Sequence, residues 1–221
     1  MTDAPLRCGA VLFDLDGVLV NSVERVESTW RRWALQNQLD PDQVIAMAHG
    51  RRTIETVRLV APHLAATDEV AALEMSEAAT TEGVYEVPGA RELLEPLPLE
   101  VWAIVTSGIR AVATLRIRHT KLPVPRVLIC ADEIQHGKPH PEGYLTAAKR
   151  LGRAAPDCIV IEDTAAGLEA ARAAGMRSVG VCGTYPASAL AMADLIVTRL
   201  DELRMSLTAH ESQLEITTAS R

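Results

Sequence analysis

The chain alternates short apolar runs with longer stretches in which apolar and polar residues are mixed. Gly9 to Leu12, Val101 to Val105, Arg126 to Cys130, Cys158 to Ile161, Ser178 to Val181 and Leu195 to Val197 each read as a strand. Apolar side chains in these runs are consecutive rather than alternating, the pattern of strands covered on both faces. Ile109 to His119, Pro141 to Leu151 and Ala165 to Ala174 fall between them and read as helices. Regular alternation of strand and helix predicts an α/β fold: a doubly wound, mostly parallel sheet with right-handed crossovers.

One stretch breaks the alternation. From Ser22 to about Glu82 the chain is charged and rich in Ala and Leu, with breaks at Pro41 and Pro62, so it predicts an all-helical insert just after the first strand. Pro88-Gly89 and the short helix Ala90 to Glu95 mark the return. The expected division is residues 1–20 with 86–221 as the α/β core and 21–85 as the helical subdomain. Val26, Trp30, Trp33 and Asn37 share one face of the insert's first helix, to pack inside the insert or to stack on a sugar ring. The polar tail, Met205 to Arg221, either frays or adds an edge strand through Leu214 to Thr217.

Composition narrows the class. The chain has 221 residues, 48% of them hydrophobic and 23% charged, which predicts a folded soluble protein. A formal net charge of −7 without a Lys/Arg stripe argues against nucleic acid or an anionic membrane as partner. The absence of a basic leader with an apolar run predicts a cytoplasmic location. Cys8, Cys130, Cys158 and Cys182 are widely spaced beside apolar runs and read as small buried hydrophobes.

In a parallel sheet the carboxyl ends of the strands point to one place, so the residues after each strand are read together. Phe13-Asp14-Leu15-Asp16-Gly17 follows the first strand; period-2 alternation sends Asp14 and Asp16 to one side. By itself this is either a solvated turn or two crowded carboxylates that need a cation or a proton. Thr106-Ser107-Gly108 follows the second, as an anion site or a helix cap. Lys138 follows the third, between Pro139 and Gly137, and Glu162-Asp163 follows the fourth. Four carboxylates, two hydroxyls and one ammonium form a donor set suited to Mg²⁺ bridging protein and a phosphate.

These residues, in this order, resemble the haloacid dehalogenase superfamily in its aspartyl-phosphate-forming branch, from about Gly9 to Val197. The insert is similar to the small helical cap of its sugar-phosphate members, and His49-Gly50-Arg51-Arg52-Thr53 to the cap segment of 2-deoxyglucose-6-phosphate and glycerol-phosphate phosphatases. The resemblance implies a Mg²⁺-dependent phosphatase for a small sugar or polyol phosphate, monomeric or weakly dimeric. It assigns Asp14 as nucleophile, Asp16 as general acid and base, and Thr106 and Lys138 as further catalytic residues. Ser107, Gly108, His49, Arg51 and Arg52 would bind substrate, and Asp14, Asp16, Asp163 and Glu162 the metal, Glu162 chiefly by orienting metal-bound water. A phosphomutase of the β-phosphoglucomutase type is the alternative, but those enzymes place a histidine where this chain has Val26.

Overall fold

The computed structural model describes residues 5–208 and 213–218. In chain order the strands are β1 (Leu6–Cys8), β2 (Ala10–Phe13), β3 (Val20–Asn21), β4 (Tyr85–Glu86), β5 (Trp102–Val105), β6 (Leu128–Ile129), β7 (Cys158–Glu162), β8 (Arg177–Val181), β9 (Leu195–Val197), β10 (Leu203–Leu207) and β11 (Leu214–Thr218). The helices are α1 (Val23–Gln36), α2 (Pro41–Ala48), α3 (Thr53–Val60), α4 (Ala66–Ala78), α5 (Ala90–Leu94), α6 (Arg110–His119), α7 (Glu142–Leu151) and α8 (Ala165–Ala173). Among the described residues no helix is long and apolar enough to cross a membrane.

The main sheet is parallel, in the order β6-β5-β2-β7-β8-β9. Counted in chain order among themselves, its strands run 3-2-1-4-5-6 across the sheet, so the direction of winding reverses between β2 and β7. That reversal opens a crevice at the carboxyl ends of β2 and β7. The consecutive apolar residues of the central strands fill both faces: Val11, Phe13, Trp102, Ile104, Ile159 and Ile161 on one, Leu12, Ala103, Val105 and Val160 on the other. Helices α7 and α8 cover the second face through Tyr144, Ala147, Ala148, Ala170 and Ala171. On the first, α5 and α6 share the cover with a separate three-stranded antiparallel sheet, β1-β11-β10.

That small sheet corrects the expectation for the tail. Leu214–Thr218 is the middle strand of its own sheet, paired with β1 and β10, rather than an edge strand of the main one. Leu203, Leu214 and Ile216 enter the core beneath it, which is why a polar-looking tail is held. Residues 209–212 and 219–221 of that tail lie outside the described residues. Cys8, Cys130 and Cys158 are buried as expected, while Cys182 is only partly so; all four are free. Burial pushes the Cys8 and Cys130 thiols up to about 12 and the Cys158 thiol to about 11, so these three are unreactive packing.

Helices α1 to α4 gather around their own core of Trp30, Trp33, Ala34, Val44, Ile45, Val57 and Leu73. Trp30 and Trp33 meet edge to face at 5.5 Å, and the Trp33 indole donates to Glu69 Oε2 at 2.6 Å, satisfying its one buried donor. Asp40 caps α2 by accepting from the amides of Asp42 and Gln43, with Pro41 at the first helical position. The two strands that join insert and core, β3 and β4, pair antiparallel through Val20 with Glu86 and Asn21 with Tyr85. The insert therefore sits on a two-stranded stem directly above the crevice.

Candidate active site

Strand β2 ends at Phe13, and Asp14 is the first residue past it, 6% exposed, its amide donating to Ile161 O at 2.9 Å. The chain then turns through Gly17, whose φ of +88° suits glycine and whose missing side chain leaves room for Asp163: a Cβ there would lie 1.9 Å from Asp163 Oδ2. Thr106, past β5, sends its hydroxyl to Asp16 Oδ2 at 3.4 Å and accepts the Gly108 amide at 3.0 Å. The strand ends thus converge as their sequence positions predict.

Lys138 is buried, not solvated as a lone lysine would be. Its ammonium bridges Asp14 Oδ1 and Glu162 Oε1, the latter at 2.6 Å, and lies 5.3 Å above the Tyr144 ring. Glu162 is fully buried, and both its oxygens are taken. Oε1 accepts from Lys138 and from the Tyr144 hydroxyl at 3.1 Å; Oε2 accepts the amides of Asp163 and Thr164 and the Thr164 hydroxyl, at 2.8, 2.8 and 2.9 Å. Five donors leave it no lone pair pointed at a metal, so the geometry gives Glu162 the task of holding Lys138 instead.

Asp163, 1% exposed, is the opposite case. The Thr184 hydroxyl donates to its Oδ2, while Oδ1 is buried with no hydrogen-bond partner. Oxygens of Asp14, Glu162 and Asp163 lie within 4.8 Å of one another. Burial, with Lys138 opposing it, pushes the Asp14 carboxyl up to about 7. Burial and then the charges of Glu162 and Asp14 raise Asp163 well above the carboxylate range. For Glu162 burial is outweighed by Lys138 and the Thr164 hydrogen bonds, which hold it low; for Lys138 burial is outweighed by Asp14 and Glu162, which hold it high. Three carboxylates crowd together, and the one ammonium pairs with only two of them. An orphaned buried oxygen among them fits a hard divalent cation with oxygen ligands, as Mg²⁺ is.

The cavity over this floor is roofed by the insert. Val23, Val26 and Trp30 of α1 give it an apolar wall, and His49, Gly50 and Arg51 a polar one. Trp30 packs in the insert core, one of the two roles its face allowed, and also fronts the cavity. His49 is almost enclosed, with neither ring nitrogen hydrogen-bonded; Glu27 lies 3.6 Å away and the Tyr185 ring 5.7 Å. Burial lowers its pKa despite Glu27, favouring the neutral ring. Ser107 and Gly108 also border the cavity, but the Ser107 hydroxyl donates to Gly50 O at 2.8 Å, a contact between core and insert.

Arg52 does not reach the cavity as a substrate-binding residue would. Its guanidinium donates to the carbonyls of Ile134 at 2.8 Å and Gln135 at 2.6 Å, and pairs with Glu55 at 2.7 Å. Those carbonyls and Glu55 take up the donors of both its terminal nitrogens, and Arg52 fastens the insert to the loop before Lys138. Among the side chains at the site that sequence reasoning missed are Arg116, Glu77 and Thr184. Arg116 had a signal, since it interrupts the stripe Val112, Ala113 and Ile117 that α6 buries. Glu77 and Thr184 had none, being ordinary surface residue types brought in by chain folding.

The profile of the haloacid dehalogenase-like hydrolase family matches residues 11–181. Hexitol phosphatase A of Escherichia coli (strain K12) is 38% identical over 206 residues, covering 91% of this chain and 95% of its own. Glycerol-1-phosphate phosphohydrolase 2 of Saccharomyces cerevisiae is 33% identical over 214 residues, with 90% and 86% covered. Among solved structures, a hydrolase from Pseudomonas syringae superposes with a TM-score of 0.74 at 27% identity, covering 87% of this chain and 94% of that one. A match running from β2 to the end of β8, on a sheet wound in this order with its acids at the switch point, leads to one family: the chain belongs to the haloacid dehalogenase-like hydrolases.

Proposed function

We propose that the protein is a Mg²⁺-dependent phosphatase that hydrolyses a small sugar or polyol phosphate monoester through an aspartyl-phosphate intermediate. The observation that carries the reading is the buried Asp14–Lys138–Glu162 bridge beside the orphaned Oδ1 of Asp163. Similarity to a hexitol phosphatase and a glycerol-1-phosphate phosphohydrolase supports the substrate class. Residues 21–85 would act as the cap and 1–20 with 86–221 as the core. Four free thiols fit a cytoplasmic location, with the enzyme working as a monomer or weak dimer.

A phosphate dianion and a carboxylate repel by roughly 4 kcal/mol per charge pair 4 Å apart at an effective dielectric of 20. Mg²⁺ held by Asp14, Asp163 and the Asp16 carbonyl would neutralise part of that charge. Lys138, already against Asp14, supplies the chain's own share. Thr106 and the Ser107 amide would hydrogen-bond the phosphoryl oxygens, while the Gly108 amide holds the Thr106 hydroxyl in place. Asp14 then attacks phosphorus; the Asp14–phosphorus bond forms, the bond to the alkoxide breaks, and Asp16 gives the alkoxide its proton. In the second step Asp16 takes a proton from water as it attacks phosphorus, and the Asp14 carboxylate leaves. The apolar wall at Val23, Val26 and Trp30, with His49 and Arg51 opposite, would read the leaving group.

The test is phosphate release with Mg²⁺ across hexose, pentose, hexitol and glycerol phosphates. Turnover is expected for at least one, and its loss in excess EDTA or in Asp14→Asn. Val26 offers no proton acceptor in the cavity, so β-glucose 1-phosphate with a glucose bisphosphate primer should yield phosphate or nothing. Undiminished hydrolysis by Asp14→Asn would refute the mechanism, and glucose 6-phosphate forming faster than phosphate would promote the mutase.

A further inference from the structure

Arg116 is a charged residue on the buried stripe of α6, its side chain only 5% exposed. Nothing in the steps above uses it. One guanidinium nitrogen, Nη1, donates to Asp16 Oδ1 at 2.6 Å, and the other, Nη2, to Glu77 Oε2. These carboxylates come from different parts of the chain: Asp16 from the crevice, Glu77 from α4 of the insert. Glu77 is itself held on the insert side, where the Thr29 hydroxyl donates to Oε1 at 2.5 Å and Arg25 Nε lies 3.7 Å away.

The fork restricts Asp16. A guanidinium is planar, so fixing one nitrogen on Glu77 fixes the direction in which the other points. Asp16 Oδ1 accepts both Arg116 and the Ser22 hydroxyl, the latter at 2.6 Å. Ser22 opens α1 but makes no capping bond there, having turned its hydroxyl to Asp16 instead. With Oδ1 engaged twice, Oδ2 retains one long contact, 3.4 Å from Thr106, and is the oxygen free to exchange a proton.

We infer that Arg116 is a positioning residue for proton transfer: Glu77 reaches down from the insert and holds its guanidinium, which fixes the Asp16 carboxyl toward the leaving group. The inference rests on Asp16 being the general acid and base of the proposed phosphatase. Seating of the insert and aim of the proton donor are then one event, because the insert supplies Glu77, Ser22 and Thr29. A merely structural ion pair would have no reason to distinguish one leaving group from another.

Leaving-group dependence is therefore the measurement. An alkoxide needs a proton as it departs, whereas p-nitrophenolate departs without one. The value of kcat/KM reports steps up to the first irreversible one, phosphoryl transfer to Asp14. For Arg116→Met, kcat/KM should fall on the order of 100-fold on the alkyl phosphate that the wild type hydrolyses fastest, as for a misplaced general acid, and about 5-fold or less on p-nitrophenyl phosphate. Glu77→Gln should show the same asymmetry at smaller size, with KM for the alkyl phosphate little changed. Arg116→Lys should restore part of the alkyl rate.

Thermal midpoints identify a variant that does not fold; should Arg116→Met be one, the Glu77→Gln and Arg116→Lys comparisons stand in its place. Equal losses on both substrates, or losses confined to KM, overturn the positioning role while leaving the phosphatase reading intact. A wild type that hydrolyses no alkyl phosphate overturns the phosphatase reading first, and the role of Arg116 with it.

Discussion

At the scale of single residues the site is organised by unequal satisfaction of similar groups. Glu162 and Asp163 are adjacent in sequence and equally buried, yet one has five donors and the other a bare Oδ1. Their consequences for stability differ accordingly. The Asp163 carboxyl holds its proton more tightly in the folded than in the unfolded chain, so the metal-free protein loses stability from this group as pH rises through the unfolded carboxylate range and beyond. Replacing it with Asn removes the charge. In EDTA near neutral pH, Asp163→Asn should raise the thermal midpoint by a few degrees, equivalent to roughly 1 kcal/mol, and flatten its pH dependence. Mg²⁺ should raise the wild-type midpoint, and the same variant should lose that increase. A lower midpoint in EDTA would show that the repulsion is relieved some other way.

At the scale of elements, α8 is shaped by what it covers. Its N-terminal turn is capped by Thr164, which accepts the Gly167 amide at 3.1 Å and also donates to Glu162. Gly167 lies over the Glu162 carboxylate, and a Cβ there would stand 1.7 Å from Oε1. Helix propensity favours Ala over Gly by about 1 kcal/mol. Overpacking a closed site costs about 1 to 3 kcal/mol, so Gly167→Ala should destabilise despite the propensity gain. It should lower kcat as well, because the oxygen displaced is the one that holds Lys138. Circular dichroism melts and steady-state kinetics check both; an Ala variant that is more stable and fully active would contradict the geometry.

What could be read from the sequence follows the same division. Strands β5, β7 and β8 are legible because burial on both faces leaves unbroken apolar runs, and the motifs after them are legible because strand ends converge. Strands β1 and β10 are not legible: β1 has only three residues, and Arg7, Arg204 and Ser206 interrupt the apolar residues of the two strands on the side facing solvent. Lys138 looked ordinary because its partners, Asp14 and Glu162, lie far away along the chain. Arg52 looked like a ligand-binding residue because no sequence pattern shows that carbonyls 134 and 135 are within its reach. In each case local pattern gave the element, while a distant partner decided the role.

At the scale of the molecule, the small antiparallel sheet joins the two extremes of the described chain. Leu6, Arg7 and Cys8 pair with Ile216, Glu215 and Leu214, and Leu203, Leu214 and Ile216 are essentially inaccessible beneath. Each such side chain contributes about 1.5 to 3 kcal/mol by burial. Ending the chain after Thr208 removes two of them and uncovers the third, so stability should fall by about 3 kcal/mol or more in urea unfolding. The crevice lies at the other end of the strands, and the truncated chain should keep its KM wherever it remains folded. A truncation without effect on the midpoint would return the tail to the frayed state that its sequence allowed.

The placement of β2 also sets a timetable for synthesis. This strand is the sheet's centre and leads directly into Asp14, yet it leaves the ribosome first among the six, and its lateral partners begin only at Trp102 and Cys158. Until then Ala10-Val11-Leu12-Phe13 has both edges open, a segment prone to pair with other chains. What emerges between the centre and its first partner is the insert, whose helices make contacts close in sequence and form a core of their own. The growing chain can thus bury Trp30 and Trp33 early, while its most aggregation-prone strand waits for neighbours that are translated much later.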